Sequence, residues 1–267
     1  TNNGIIDLSG NNATGIYAGS NVNQAINKGN INIDTGTGGV GIYAKRNGTT
    51  TVQNLNEIKI GDSGVGIYAE LPGGILNLTN NGNIIGTGNN VTGIYVNNIS
   101  GTTTSSSLKL GSNSNIDLEN TVKGVGIYTN GYNINEYSSS GTISVGENGV
   151  GVYANNGSAY LWNLVLNLKG NDTVGIYTDG TNSFTGSGTI NVEGNGTVVF
   201  NILGSGGINN YFDVVSAPGL TYTLANLKNS IFVSENTADL GQGSVYINGE
   251  NSAAVLGFDS KLASSKS

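Results

Sequence analysis

Gly39-Val-Gly-Ile-Tyr-Ala44 is the stretch that decides the fold, and it recurs unchanged at Gly64–Ala69. Related copies occupy Thr14–Ala18, Thr92–Val96, Gly124–Thr129, Gly149–Ala154 and Val174–Thr178. The tyrosines of these seven copies are separated by 26, 25, 27, 33, 25 and 24 residues. We interpret Thr197-Val-Val-Phe200 as a frayed eighth copy with Phe200 in the tyrosine position. A repeat of this period indicates an array whose units bury their apolar faces against their neighbours.

A second signature precedes most copies: a short strand in which apolar and polar residues alternate. Examples are Ile31–Ile33, Ile58–Ile60, Ile116–Leu118, Ile143–Val145, Leu166–Leu168 and Ile190–Val192. Because a strand takes about five residues, three strands with their turns fill one period of roughly 25 residues. The Leu-x-x-Leu-x-Leu frame of leucine-rich repeats is missing. The period therefore predicts an all-β fold, a parallel β-helix with about three short strands per rung.

Alternation within the repeated phrase predicts which side chains face the core. In Val40–Ala44, we expect Val40, Ile42 and Ala44 to point inward, and Gly41 and Tyr43 to point outward. The tyrosines should then form a ladder along the outside of the coil, flanked by glycines that keep the backbone flat. Its members are Tyr17, Tyr43, Tyr68, Tyr95, Tyr128, Tyr153 and Tyr177.

Length varies mainly on one side of the rung, after the tyrosine strand. The variable segments are Asn97–Ser107, Asn130–Ser140 and Asn155–Trp162. Residues 1–200 are thus predicted to form repetitive rungs with one decorated face. Residues 201–267 lack the phrase, and we expect degenerate rungs or a cap there. Their expected strands are Tyr211–Val215, Leu220–Leu224, Ser230–Val233, Ser244–Ile247 and Ala253–Phe258.

Composition excludes several classes of partner and of cross-link. The net charge is −7 and there is only one arginine, so no basic stripe is available for nucleic acid. No apolar run approaches the length of a transmembrane helix. Cysteine is absent, which removes disulfides and thiolate sites and suits a chain exported unfolded. The chain opens in mid-pattern at Thr1, and we expect it to be part of something longer.

Catalytic interpretations are weak. Gly61-Asp-Ser-Gly64 matches the surroundings of a chymotrypsin-like nucleophile, but the chain contains no histidine to act as base. Asp62, Glu147 and Glu193 could line one turn edge of the coil, as in a calcium-binding or polysaccharide-cleaving β-helix. Solvated turn caps explain these dispersed acids better. We therefore predict no catalytic residues, no metal site and no cofactor.

Binding has two candidate locations. Stacked tyrosines on a flat sheet suit a sugar ring, although a ladder present on every rung favours a structural role. The variable loops carry the other candidates, since exposed aromatic and arginine side chains are enriched at interfaces. These are Lys45, Arg46, Tyr132, Tyr137, Tyr160 and Trp162. For Trp162, burial beneath its own apolar run is an equally good explanation.

The recurring Gly-Val-Gly-Ile-Tyr-Ala phrase, the Asn/Gly-rich turns and the lack of cysteine resemble the passenger regions of very large autotransporter adhesins of the fusobacterial type. The resemblance covers roughly residues 1–200. It implies a right-handed β-helix, exported through the outer membrane and displayed on the bacterial cell surface. It also implies a monomer whose own C-terminal translocator barrel lies outside these residues.

These observations predict a non-catalytic adhesin segment that binds a glycan or protein receptor on host or bacterial cells through its loops. Two alternatives remain open. One is a structural spacer that carries a distal binding domain, and the other is a polysaccharide-degrading enzyme with an acidic cluster in a groove.

Overall fold

The computed structural model describes residues 1–98, 104–135, 140–156, 159–179, 183–202 and 207–216, together with five short strands beyond them. Through residue 135 the strands are β1 (Ile5–Asp7), β2 (Thr14–Ala18), β3 (Gln24–Asn27), β4 (Asn30–Ile33), β5 (Val40–Lys45), β6 (Thr50–Asn54), β7 (Glu57–Ile60), β8 (Val65–Glu70), β9 (Leu76–Asn80), β10 (Asn83–Gly86), β11 (Thr92–Asn97), β12 (Thr104–Leu110), β13 (Asn115–Leu118), β14 (Val125–Asn130) and β15 (Tyr132–Asn135). Among all the residues that the structure describes, there is no helix long and apolar enough to span a bilayer.

The later strands become longer and then very short. They are β16 (Thr142–Val145), β17 (Val150–Asn155), β18 (Ala159–Leu168), β19 (Val174–Asp179), β20 (Ser183–Val192), β21 (Val198–Ile202), β22 (Gly207–Ser216), β23 (Phe232–Ser234), β24 (Ala238–Asp239), β25 (Val245–Tyr246), β26 (Leu256–Gly257) and β27 (Leu262–Ala263). The strands form a parallel β-solenoid of about seven turns, with rungs about 26 residues apart. The parallel β-helix predicted from the period is thereby confirmed.

Each rung passes through three sheets. The tyrosine sheet contains β2, β5, β8, β11, β14, β17, β19, β21, β23 and β26. The isoleucine sheet begins with β1, β4, β7, β10, β13 and β16, and the third sheet begins with β3, β6, β9, β12 and β15. In β18, β20 and β22 the strands of the third and isoleucine sheets join into single segments of ten residues.

The core is a set of aliphatic columns along the solenoid axis. Ile31 pairs with Ile58, and Ile42 pairs with Ile67; all four side chains are fully buried. Each rung therefore removes apolar surface from water mainly by covering the rungs next to it, as expected for a one-dimensional array.

The glycine inside the repeated phrase faces the core, which contradicts the predicted face assignment. A Cβ added to Gly41 would lie 2.5 Å from Ile58 Cγ2 and 2.5 Å from the carbonyl oxygen of Gly66. Val40 is only half-buried, whereas Gly41 and Ile42 are both buried. Two consecutive residues thus point inward, and Val40 points outward. The glycine is required because the isoleucine sheet and the next rung leave no room for a side chain.

The turn between the isoleucine and tyrosine sheets always contains a residue in the left-handed backbone conformation, five positions before the tyrosine. Non-glycine examples are Asn12, Ser63, Asn90, Lys123, Asn148 and Asp172, with φ between 53° and 59°. The amide of Ser63 donates to the carbonyl of Asn89 in the next rung, and the amide of Lys123 donates to that of Glu147. The strained residue thereby continues the backbone ladder through the turn.

The corner between the third and isoleucine sheets is closed by buried asparagines. Asn27 Nδ2 donates to Asn54 Oδ1 at 2.9 Å, and Asn54 Nδ2 donates to Asn80 Oδ1 at 2.8 Å. The column ends where Asn80 donates to Ser114 Oγ at 2.7 Å. These amides satisfy one another, which removes the cost of burying polar groups without partners.

The eighth copy of the phrase is shifted by one residue from the predicted alignment. Tyr177 pairs with Asn201, while Phe200 pairs with Ile176 and is fully buried. The left-handed Gly196 lies five residues before Asn201, as in the earlier turns. Phe200 therefore belongs to the core and not to the tyrosine ladder, because the strand pairing places it next to the buried Ile176.

Beyond residue 202, the described strands continue the parallel pairing. The expected strand at Tyr211–Val215 lies within β22, and Phe232 pairs with Phe200. The expected strand at Leu220–Leu224 lies outside the described residues. The assignment of residues 1–200 and 201–267 to repetitive and degenerate parts stays a prediction.

Candidate functional site

The seven tyrosines form one column on the outside of the tyrosine sheet. From Tyr43 to Tyr95 the rings stack, with centroids 4.9 Å apart at both steps and interplanar angles of 4° and 11°. From Tyr95 to Tyr177 they alternate edge to face at 4.4–4.7 Å. Tyr17, at the start of the column, is 59% exposed.

The stacked part of the ladder offers little area to a ligand. Both faces of the Tyr68 ring are covered by neighbouring rings, so mainly ring edges and hydroxyl groups remain open. A sugar would need an open aromatic face for stacking, whereas ring-to-ring packing of this kind stabilises adjacent strands. The geometry therefore favours a structural role for the ladder.

A carboxylate is anchored at the edge of this ladder. Glu70 Oε2 accepts hydrogen bonds from the hydroxyls of Tyr43 at 3.0 Å and Tyr68 at 3.2 Å, while Glu70 Oε1 lies 2.7 Å from Lys45 Nζ. The bond from Lys45 is the main reason that the pKa of Glu70 is lowered, and the same bond raises the pKa of Lys45. The charge of Lys45 is therefore neutralised within the protein.

Arg46, the other half of the predicted positive spot, is half-buried. Its Nε atom lies 3.2 Å from where a Cβ on Gly48 would be, so the guanidinium stem packs along the turn after β5. With Lys45 paired and Arg46 packed against the turn, this location presents less positive charge to a ligand than the sequence indicates.

The ladder makes the fold sensitive to alkali. Burial, followed by the hydrogen bond to Glu70, raises the pKa of Tyr43 to about 12, and burial with the neighbouring Tyr177 raises the pKa of Tyr153 to about 12. A raised pKa in the folded state means that the ladder stabilises the protein fully below the unfolded pKa of 10.0. This contribution is lost as the pH rises from there through about 12.

We therefore expect the urea concentration at the midpoint of unfolding to decrease as the pH is raised from 10.0 to about 12. The absorbance change that marks tyrosinate formation should accompany unfolding. Tyr43→Phe should reduce the alkaline loss of stability, because it removes one of the shifted groups. Tyrosines that all ionise at their ordinary pKa while the protein remains folded would contradict this expectation.

The predicted aromatic site residues are only partly described. Tyr137 lies outside the described residues; Tyr132 lies in β15, where only its backbone is described. Tyr160 and Trp162 are both half-buried in β18, and Trp162 lies between the buried residues Leu161 and Leu164 in sequence. Trp162 is therefore outside the core but not fully exposed, which is intermediate between its two predicted environments.

The described candidates do not form one cluster. Lys45 is the last residue of the second tyrosine strand, and Tyr160 follows the sixth. Four rung steps of about 4.8 Å separate them, or about 19 Å along the axis. The structure thus brings Lys45 together with Arg46, and Tyr160 together with Trp162, but keeps the two pairs apart.

The dispersed acids make contacts within the turns. Asp62 Oδ1 accepts from the amide of Asn89 at 2.6 Å, and Glu147 Oε2 accepts from the amide of Asn171 at 3.2 Å. Glu193 pairs with Lys169 Nζ at 2.7 Å. Within the described ranges, no three acidic residues lie close enough together to hold a metal ion. These carboxylates link adjacent rungs, as expected for turn caps.

Sequence reasoning missed a groove of about 430 Å³ at the corner between the third and isoleucine sheets, which we call the corner groove. It extends from Leu55 to Asn163 and is lined between them by Thr79, Asn81, Lys109, Gly111, Ser112 and Ser140. The corner has two residues between β6 and β7 but four, Gly111–Ser114, between β12 and β13. This longer corner, which lies within the 33-residue interval between Tyr95 and Tyr128, was the available signal.

A second groove of about 350 Å³ lies at the left-handed turns of the first rungs, where Asp34, Asp62 and Asn89 are among its lining residues. Its surface is polar, and the carboxylate of Asp62 already accepts the hydrogen bond from the Asn89 amide described above. Comparisons of the chain with protein-family models, with curated proteins and with solved structures gave no match.

Proposed function

We propose that this chain is a non-catalytic segment of a surface-displayed bacterial adhesin and that it binds a receptor through the outside of its third sheet and the adjoining corner. The resemblance of its repeated phrase to autotransporter passengers supports export to the cell surface. The parallel solenoid is compatible with that class, but the fold alone does not specify a function.

One observation carries the proposal: the rungs repeat on the tyrosine sheet but differ on the third sheet. Tyr43, Tyr68 and Tyr95 occupy equivalent positions in register. On the third sheet, by contrast, Thr79 is paired with Lys109, and Tyr160 is paired with Asn135 and Thr185. A surface that changes from rung to rung can distinguish one ligand from another more readily than a uniform surface can.

The uniform ladder supports the second candidate function, a spacer that holds a distal domain away from the membrane. The two functions differ in whether the isolated chain binds cells. Beads coated with the 267-residue chain should adhere to bacterial or epithelial cells above the level of beads coated with the same chain after denaturation. Adhesion at that background level would support the spacer and overturn the adhesin proposal.

A further inference from the structure

The corner groove has the size and shape of a ligand-binding cleft. Its volume of about 430 Å³ lies within the range of small-molecule sites. It crosses five successive rungs, from the corner at Leu55 to Asn163, so its length is about 19 Å. A ligand that fills it must be extended along the solenoid axis.

The lining is hydroxyl- and amide-rich. Thr79, Ser112 and Ser140 supply hydroxyls, and Asn81 and Asn163 supply amides. Asn163 is exposed with φ +56°, and its backbone amide donates to Ser187 Oγ at 3.1 Å. Its side-chain amide extends from this bulge in β18, where the register of pairing with β20 shifts. Hydroxyl and amide groups match the donors and acceptors of sugar hydroxyls.

Charge in the groove is sparse. Lys109 is the one charged residue among those that line it, and it is exposed. No carboxylate among the described residues pairs with its ammonium group, in contrast to Lys45, Lys59 and Lys169. A single ammonium group on a chain of net charge −7 does not favour a polyanion, but it can donate to up to three hydroxyl oxygens.

Two aromatic residues precede Asn163, which lines the C-terminal end of the groove. Trp162 is the chain neighbour of Asn163, and Tyr160 lies two residues before it in the same strand. In the next rung, Tyr160 is paired with Thr185, and Leu161 is paired with Gly186. The residue paired with Tyr160 in the next rung is therefore smaller than the tyrosine ring.

We propose that the corner groove binds an extended, uncharged oligosaccharide, with Thr79, Ser112, Ser140, Lys109 and Asn163 contacting its hydroxyls and Trp162 contacting a sugar at the groove's end. The assignment rests on the proposed adhesin function and supplies its binding site. Polar groups fix the orientation of a sugar, and aromatic side chains contact its C–H faces.

The test uses the full chain and an immobilised panel of uncharged hexose and N-acetylhexosamine oligosaccharides, with sialylated and uronic-acid oligosaccharides beside them. We expect binding to at least one uncharged oligosaccharide. Ser112→Tyr should fill the groove from its exposed corner and weaken this binding at least tenfold. Lys109→Ala should weaken it about tenfold, the loss of one charge-assisted interaction of about 1.4 kcal/mol.

Matched control variants separate the groove from general effects. Ser20→Tyr introduces the same side chain at another exposed corner, and Lys59→Ala removes a lysine from the isoleucine sheet. Both should retain binding within twofold, and circular dichroism should show that all four variants are folded. Unchanged binding by Ser112→Tyr, binding only to acidic oligosaccharides, or no binding to the panel would each overturn the site.

The bead assay distinguishes failure of this site from failure of the adhesin proposal. Adhesion to cells that Ser112→Tyr and Lys109→Ala leave unchanged would overturn the groove assignment alone. A chain that binds oligosaccharides through the groove but does not adhere to cells would retain the site and overturn the adhesin function.

Discussion

Ile67→Asp is expected to lower the free energy of unfolding by about 4 kcal/mol or more and to unfold the neighbouring rungs. Ile67 is fully buried in β8, between Ile42 and Ile94 in the adjacent rungs. A carboxylate placed there would be surrounded by aliphatic side chains on either side along the axis. Urea denaturation followed by far-ultraviolet circular dichroism measures the loss.

Two control variants on the same strand test which face is inside. Val65 is half-buried and points outward, so Val65→Asp should cost about 1 kcal/mol, as most partly exposed substitutions do. Tyr68→Ser removes two ring contacts at 4.9 Å and should cost about 1–2 kcal/mol. Losses as large as that of Ile67→Asp in either control would show that the inward and outward faces are assigned incorrectly.

Gly126→Val is expected to lower the free energy of unfolding by about 2–3 kcal/mol, because overpacking forces backbone and side chains to move. A Cβ at Gly126 would lie 2.5 Å from the carbonyl oxygen of Gly151 and 2.5 Å from Ile143 Cγ2. The first contact is with backbone of the next rung, which cannot rotate away as a flexible side chain could. Urea denaturation again supplies the measurement.

Gly4→Val is the matched control for this substitution. A Cβ at Gly4 would have no atom within 4 Å, so the free energy of unfolding should change by less than about 0.5 kcal/mol. Equal effects at Gly4 and Gly126 would indicate that the loss comes from glycine's backbone freedom and not from crowding in the core.

The rung register was predictable because tyrosine marks it. A large side chain at the same point in seven copies fixes which residues pair, and the structure pairs Tyr43 with Tyr68 as the spacing predicts. The alignment failed at Phe200, where aromatic character suggested equivalence with tyrosine. The left-handed residue five positions earlier is a better marker there, since it gives Asn201 as the equivalent position.

The faces of the phrase were not predictable from alternation alone. Glycine carries no side chain and so gives no hydrophobic signal for an inward position. Val40 is apolar, which suggests an inward position, but it is half-exposed. The decisive contact, between Gly41 and Ile58 of the next isoleucine strand, joins residues 17 positions apart in different sheets. Only the three-dimensional packing of those sheets makes the glycine necessary.

The candidate site was less predictable than the fold. The recurrence of asparagine at Asn27, Asn54 and Asn80 was visible in the sequence, but it predicts a buried column only once the corner is known. The corner groove depends on side chains from five rungs that no single motif joins. Tyr160 and Trp162 were identified by residue type, whereas their separation from Lys45 required the rung count.

Each strand pairs mainly with the strands one rung before and one rung after it. This arrangement has a consequence for how the chain folds. A completed rung ends in three unpaired strand edges, and the next two dozen or so residues contain the strands that fit them. Folding can therefore propagate along the axis one rung at a time, because each new rung pairs with the rung before it and does not need segments distant in sequence. Such growth suits a chain that emerges gradually from a pore or a ribosome.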